Sequence, residues 1–281
     1  MNIDTTTTFA HDNEFQLALT IAIPTGNPRG IILFVPGIYE TSDMYRSVYE
    51  TFLKEQFICA SYDHRGTGKS IHFENEIGYL GKDGANGLVQ DIYIMIQTIS
   101  KMYSGLAIFL VTHDYASLMA INFLKEYDDR IRALALINPI SLYSGLKRQR
   151  LFYEYTSIMT PTYFKNQFLN QMFYKKVEKR KGANLPFLYT TKSLYHLCEV
   201  GYMIQHQGTY YLRNTNLPIF MGVGEKDHIR EYGNATKNLL SNIGYTNIDY
   251  RTYPEGTHNL FQDDETSQLL HDLLLFFTLS L

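Results

Sequence analysis

No tryptophan occurs in the 281 residues, and only two cysteines do. With no indole N–H available, ring-borne hydrogen-bond donors in an apolar site must be chiefly phenols, and 23 tyrosines supply them. Cys59 and Cys198 lie far apart in the chain, with no metal-ligand spacing and no disulfide framework. Two reduced thiols in a cytoplasmic protein are the expectation. No apolar run approaches the ~18 residues of a membrane span, so no integral membrane segment is expected. The polar start MNIDTTTTFAHDNEF lacks the basic-then-apolar order of a secretory leader. Net charge is −3, without runs of one sign, and points to neither a nucleic-acid partner nor an anionic membrane. No metal or cofactor is implied. RGTGKS (Arg65–Ser70) lacks the glycine that a phosphate-binding loop needs before its GKS tail, because Asp63 stands there.

What is present is an alternation of short apolar runs with helical periodicity. Strands are expected at Phe15–Ile23, Ile31–Gly37, Phe57–Asp63, Leu106–His113, Ile131–Pro139, Leu217–Gly224 and Ile248–Pro254. Between them, MYRSVYETFLKEQ follows a possible cap at Ser42 or Asp43. GLVQDIYIMIQTISKMY places Leu88, Ile92, Ile96 and Ile99 on one helical face. Strands alternating with helices predict βαβ units and a mostly parallel sheet. From Tyr143 to Leu212 the pattern becomes helical in pieces and rich in Tyr, Phe, Met and Lys. The expected organisation is a core in two parts, residues 1–141 and 213–281, with residues 142–212 as a helical lid over the sheet's carboxyl edge. That edge is where open α/β sheets bind ligands.

Three strand ends carry chemically loaded residues: Asp114 in THDYAS, Asp227 in GVGEKDHI and His258 in YPEGTHNLF. Nucleophile, acid and histidine in that order match the α/β-hydrolase triad. Four blocks make the resemblance specific: IILFVPGIYETSDMYRSVYETFLKEQFICASYDHRGTGKS, GYLGKDGANGLVQDIYIMIQTISKMYSGLAIFLVTHDYAS, LPIFMGVGEKDHIREYG and TYPEGTHNLFQDDE. Together they resemble the monoacylglycerol lipase and lysophospholipase-like branch of the α/β-hydrolases. That resemblance implies the α/β-hydrolase fold, hydrolysis of a small apolar substrate, and backbone oxyanion donors at Ile38 and Tyr115.

The departures fall at the site itself. The family writes His-Gly at the oxyanion loop, where this chain has Pro36-Gly37. It writes Gly-His-Ser-Met-Gly-Gly at the nucleophile elbow, where Thr112-His113-Asp114-Tyr115-Ala116-Ser117 stands. Ser117 lies one helical turn beyond the elbow and is disfavoured as a substitute nucleophile. HDYAS resembles the His-Asp-Trp-Gly-Ser of haloalkane dehalogenases and epoxide hydrolases, although the tryptophan that grips a halide is missing. Two readings follow: an Asp-nucleophile hydrolase working through a covalent alkyl-enzyme, or a catalytically weak or inactive relative acting as a binding protein.

Overall fold

A computed structural model describes residues 2–143, 145–178, 185–206 and 210–281. One sheet of eight strands forms the core: β1 (Asn2–Phe9), β2 (Gln16–Ile23), β3 (Gly30–Val35), β4 (Phe57–Tyr62), β5 (Ala107–His113), β6 (Ala133–Ile137), β7 (Ile219–Gly224) and β8 (Ile248–Tyr253). Their spatial order is β1-β2-β4-β3-β5-β6-β7-β8. Strands β3 to β8 pair in parallel, and β1 and β2 run antiparallel at one edge. This is the α/β-hydrolase fold expected from the sequence.

Successive side chains of a strand point to opposite faces, so a strand covered on both sides reads as a continuous apolar run. On one face Ile32, Phe34, Phe109 and Ala135 pack against α1 (Arg46–Lys54) and α8 (Thr266–Leu279). On the other, Ile31, Leu33, Leu110 and Leu136 meet α2 (Gly84–Met102), α3 (Ala116–Tyr127) and α7 (Glu231–Ile243). Between β6 and β7 the chain makes a helical excursion, α4 (Leu146–Met159), α5 (Gln167–Glu178) and α6 (Thr191–His206). It packs on the α2–α3 face through Leu194, Leu197 and Val200.

The sequence pattern missed β1. NIDTTTTF is polar because it forms the outer edge, exposed along most of its length, yet it pairs with all of β2. The cap expected at Ser42 or Asp43 is also absent. A 3₁₀ turn, Ser42–Tyr45, leads into α1 with no side-chain cap hydrogen bond.

The DHRGTGKS turn after β4 is a structural knot. Asp63 accepts the backbone N–H of Ser42 at 2.6 Å and of Lys69 at 2.7 Å. A Cβ on Gly68, where φ is +49°, would sit 2.2 Å from the Asp63 carboxylate, so only glycine fits. Arg65 is fully buried. Its guanidinium makes two 2.8 Å hydrogen bonds to Asp91 of α2 and one of 2.7 Å to Asp12. Breaking a buried pair strands its other charge, so Asp91→Ala should cost about 3–5 kcal/mol. Urea unfolding should show a lower midpoint with unchanged slope; a change under about 1 kcal/mol would refute this role for the pair.

Candidate active site

The parallel strands β5 to β8 all end on the edge where the three singled-out residues sit. Asp114 follows β5 in the left-handed region, φ +52°, a conformation a non-glycine residue holds only when its surroundings enforce it. Here the enforcement is hydrogen bonding: the Asp114 N–H reaches the Ile137 carbonyl at 3.1 Å, and its carbonyl accepts the Ser117 N–H at 3.1 Å. Ser117 is fully buried. Its hydroxyl lies 2.7 Å from the Asp114 carbonyl and accepts the Ile140 N–H at 3.0 Å. It therefore braces the elbow and does not face a substrate. Thr112, at a position where the resembled family has glycine, fits with a buried hydroxyl that has no hydrogen-bond partner among the described residues.

The Asp114 carboxylate lies directly against Gly37: a Cβ there would fall 2.8 Å from Asp114 Oδ2. Any larger residue at 37 would push on the carboxylate. Ile38, next in the loop, and Tyr115, next after Asp114, are both buried. Asp227 and His258 come together from the loops after β7 and β8, with Asp227 Oδ2 3.0 Å from His258 Nδ1. Asp114, Asp227 and His258 are 2%, 5% and 7% exposed, so all three are shielded from bulk water.

Sequence reasoning did not find the group that joins these loops. Glu40 accepts the Gly37 N–H at 2.6 Å with one oxygen and, with the other, the Nδ1–H of His113 at 2.8 Å. His113 Nε2 in turn donates to the His258 carbonyl at 2.9 Å. Asn138, also at positive φ, donates to that same carbonyl at 2.7 Å and accepts the Gly224 N–H at 2.8 Å. His64 Nε2 lies 2.8 Å from the Pro36 carbonyl; burial lowers its pKa, so the ring is neutral and that nitrogen is the donor. The signal in the sequence was small: His113 is the one charged-capable residue of an otherwise uncharged β5.

Burial alone would lower the His113 pKa. The adjacent Glu40 carboxylate outweighs it and raises the imidazole to about 9, while His113 holds Glu40 below the usual carboxylate range against its own burial. A raised histidine pKa contributes stability that is fully present below the ordinary value of 6.5 and lost as pH rises through the folded value. Unfolding free energy should therefore fall between pH 6.5 and about 9, and His113→Gln should flatten that slope. An unchanged slope in the variant would rule out the Glu40–His113 pair as its source.

The tyrosines of the helical excursion divide by use. Tyr143 donates to Gln149 at 2.6 Å and Tyr153 to the Leu169 carbonyl at 2.8 Å. Tyr115 donates to the Leu197 carbonyl. The Tyr39 hydroxyl reaches Asn170 of α5 at 2.9 Å, and its ring packs on Tyr174, Phe187 and Tyr189. Tyr189 is buried close enough to Asp114 and Glu40 to feel both charges. Its pKa is raised first by burial; a backbone hydrogen bond from Tyr39 opposes that, and the charges of Asp114 and Glu40 add to it.

Human monoglyceride lipase is 27% identical over 119 residues, 42% of this chain and 38% of that enzyme's length. A thermostable carboxyl esterase from Bacillus coagulans superposes with a TM-score of 0.80 at 18% identity, covering 99% of this chain and 98% of that one. A lipase in its open form gives 0.84 at 17% identity, covering 99% of both chains. These likenesses are of fold. The family described as serine aminopeptidase, S33, matches residues 26–265, and the chain belongs to that α/β-hydrolase family.

Proposed function

We propose that this chain is a hydrolase in which Asp114 replaces the serine nucleophile and attacks saturated carbon in a small apolar substrate. The observation that carries the reading is the placement of Asp114: a carboxylate at a positive-φ elbow, against Gly37, on the sheet edge that also holds the Asp227–His258 pair. A non-glycine residue held in a left-handed turn at such an edge is a mark of function.

The chemistry selects the substrate class. If Asp114 attacked an ester carbonyl, the tetrahedral intermediate would expel either Asp114 or an alkoxide. Their conjugate acids differ by about 12 pKa units, roughly 16 kcal/mol in favour of returning Asp114. At saturated carbon there is no such reversal. Asp114 forms a C–O bond as an epoxide C–O or carbon–halogen bond breaks, giving an alkyl ester on the enzyme. With an epoxide, the Tyr189 hydroxyl protonates the departing oxygen. His258, oriented by Asp227, then takes a proton from water, which attacks the ester carbonyl. The Ile38 and Tyr115 N–H groups hold the resulting oxyanion; its collapse expels the alkoxide, which takes the proton from His258, and the Asp114 carboxylic acid left behind gives its proton to the Tyr189 phenolate after an epoxide, or to water after a halide. Residues 142–212 serve as the lid in this reading, lining the site with aromatic rings and excluding water. No metal or cofactor takes part.

A second reading, a relative that binds but does not turn over, is favoured by one feature. Tyr39 is packed among Tyr174, Phe187 and Tyr189 beside the oxyanion loop, where a substrate's apolar group would lie.

Trapping separates the two. His258→Gln should accumulate an alkyl ester on Asp114 with terminal epoxides or haloalkanes, read as a mass increase on the peptide containing Asp114. A folded variant that labels with no member of a broad panel would assign the chain to the binding reading. Tyr189→Phe should slow ester formation from epoxides far more than from haloalkanes, since a halide leaves without a proton. Wild-type protein should hydrolyse p-nitrophenyl esters poorly and resist serine-directed phosphonates. Strong, phosphonate-sensitive esterase activity would place the nucleophile on another residue.

A further inference from the structure

The net charge of −3 is an average over two unlike regions. Residues 142–212 contain ten Lys and Arg and three Asp and Glu, a net of +7; the rest of the chain contains fifteen and twenty-five, a net of −10. The same segment holds the exposed apolar surface. Among the described residues, eight of the fifteen large hydrophobic side chains left exposed lie between residues 151 and 168. That is a patch rather than a scatter, and such a patch marks an interaction surface.

Its layout is ordered. The inner face of α4, with Leu146 and Tyr153 buried, packs toward the core. Helices α4 and α5 run antiparallel. Lys176 lies 3.9 Å from where a Cβ on Gly145 would be, and Tyr153 donates to the Leu169 carbonyl. At the base of this hairpin, Lys147, Arg148, Lys175 and Lys176 are exposed, and none forms an ion pair among the described residues. A cleft of about 580 Å³ there is walled by Arg148, Lys175 and Lys176 and by the apolar Phe152 and Met172. At the other end Ile158 is 75% exposed, Met159 66% and Phe168 71%, with Tyr155 and Tyr163 alongside. From Arg148 to Ile158 the helix rises about 15 Å.

From this we infer that the α4–α5 hairpin docks on an anionic phospholipid bilayer, its apolar tip in the acyl boundary and its cations at the headgroups. An apolar and aromatic tip followed by cations is the order met on leaving a bilayer, and it is the composition of an interfacial helix. Phosphate fits the cleft between Arg148, Lys175 and Lys176, which offers charge with an apolar floor. The charge split sets the orientation, since an anionic surface attracts the +7 segment and repels the −10 remainder. It also disfavours a symmetric dimer through this face, where like charges would meet. No helix of the described residues is long and apolar enough to cross a membrane, so the association is with the surface. The inference is independent of the chemistry at Asp114.

The test is co-sedimentation of the full chain with vesicles of phosphatidylcholine alone and of phosphatidylcholine with phosphatidylglycerol. Binding should appear with the anionic vesicles and weaken with added salt. Each cation neutralised should weaken partitioning roughly fivefold, so Arg148→Gln/Lys175→Gln/Lys176→Gln should lose on the order of a hundredfold. Ile158→Asp/Phe168→Asp should abolish insertion, read as loss of salt-resistant binding. These positions are exposed, and circular dichroism with an unchanged unfolding midpoint will verify the fold. Equal binding to both vesicle types, no binding to either, or binding unaffected by these variants would overturn the inference. So would self-association without lipid that Ile158→Asp/Phe168→Asp removes, because the patch would then belong to a second copy of the chain.

Discussion

The ion pair between Glu40 and His113 is the contact on which the site depends. It joins three loops that are distant in sequence: the turn after β3 through Gly37, the elbow after β5 through His113, and the loop after β8 through the His258 carbonyl. Each of those loops carries one part of the proposed chemistry. A buried ion pair adds little net stability over an apolar substitute, but removing one partner is costly and leaves its neighbours without orientation. Its value here is positional. With one oxygen on Gly37 and the other on His113, Glu40 fixes the loop that presses against the Asp114 carboxylate.

A carboxylate at the elbow changes what the surrounding groups can do. Ile38 and Tyr115 would hold an oxyanion in the hydrolytic half of either a serine or an aspartate enzyme. What differs is the first half, where the better leaving group decides the direction. Acyl transfer runs back toward the free carboxylate, and alkyl transfer runs forward. In the proposed reaction, one substitution at an elbow would redirect a fold shared with lipases and esterases toward another bond type, with the histidine and its acid kept in their places. In the proposed reaction with an epoxide, displacement needs a proton donor, the role proposed for Tyr189.

The helical excursion has two faces with different duties. Its inner face supplies Asn170, Tyr189 and Leu197 to the surroundings of Asp114 and Tyr39. Its outer face concentrates positive charge and apolar side chains that a solvated protein surface ordinarily disperses. An apolar substrate, as proposed, is most concentrated where apolar phases are, and a hairpin docked on such a phase would meet it there. Average composition hides this, since the acidic core and the basic hairpin cancel in the total.

The sequence by itself determined the sheet and the order of the site residues. Apolar runs such as IILFV and IFMGVG have one reading when both faces are covered, and the strand ends that follow them carry Asp114 and Asp227 at fixed offsets. His258, after β8, was placed by its segment and by its order behind the acid. The polar edge strand NIDTTTTF escaped because a strand solvated on both faces and closed by a single partner has no apolar alternation to read. Ser117 could be set aside by helical geometry, but its hydrogen bonds to Asp114 and Ile140 could not be foreseen. Only the tertiary structure decided that Glu40 meets His113 and that Arg65 reaches past its own turn to Asp91 and Asp12. These are contacts between residues 26 to 73 positions apart in the chain. Local patterning fixes which way a side chain points within its own element, whereas a charge finds its partner only when two elements pack, and that is settled by the fold as a whole.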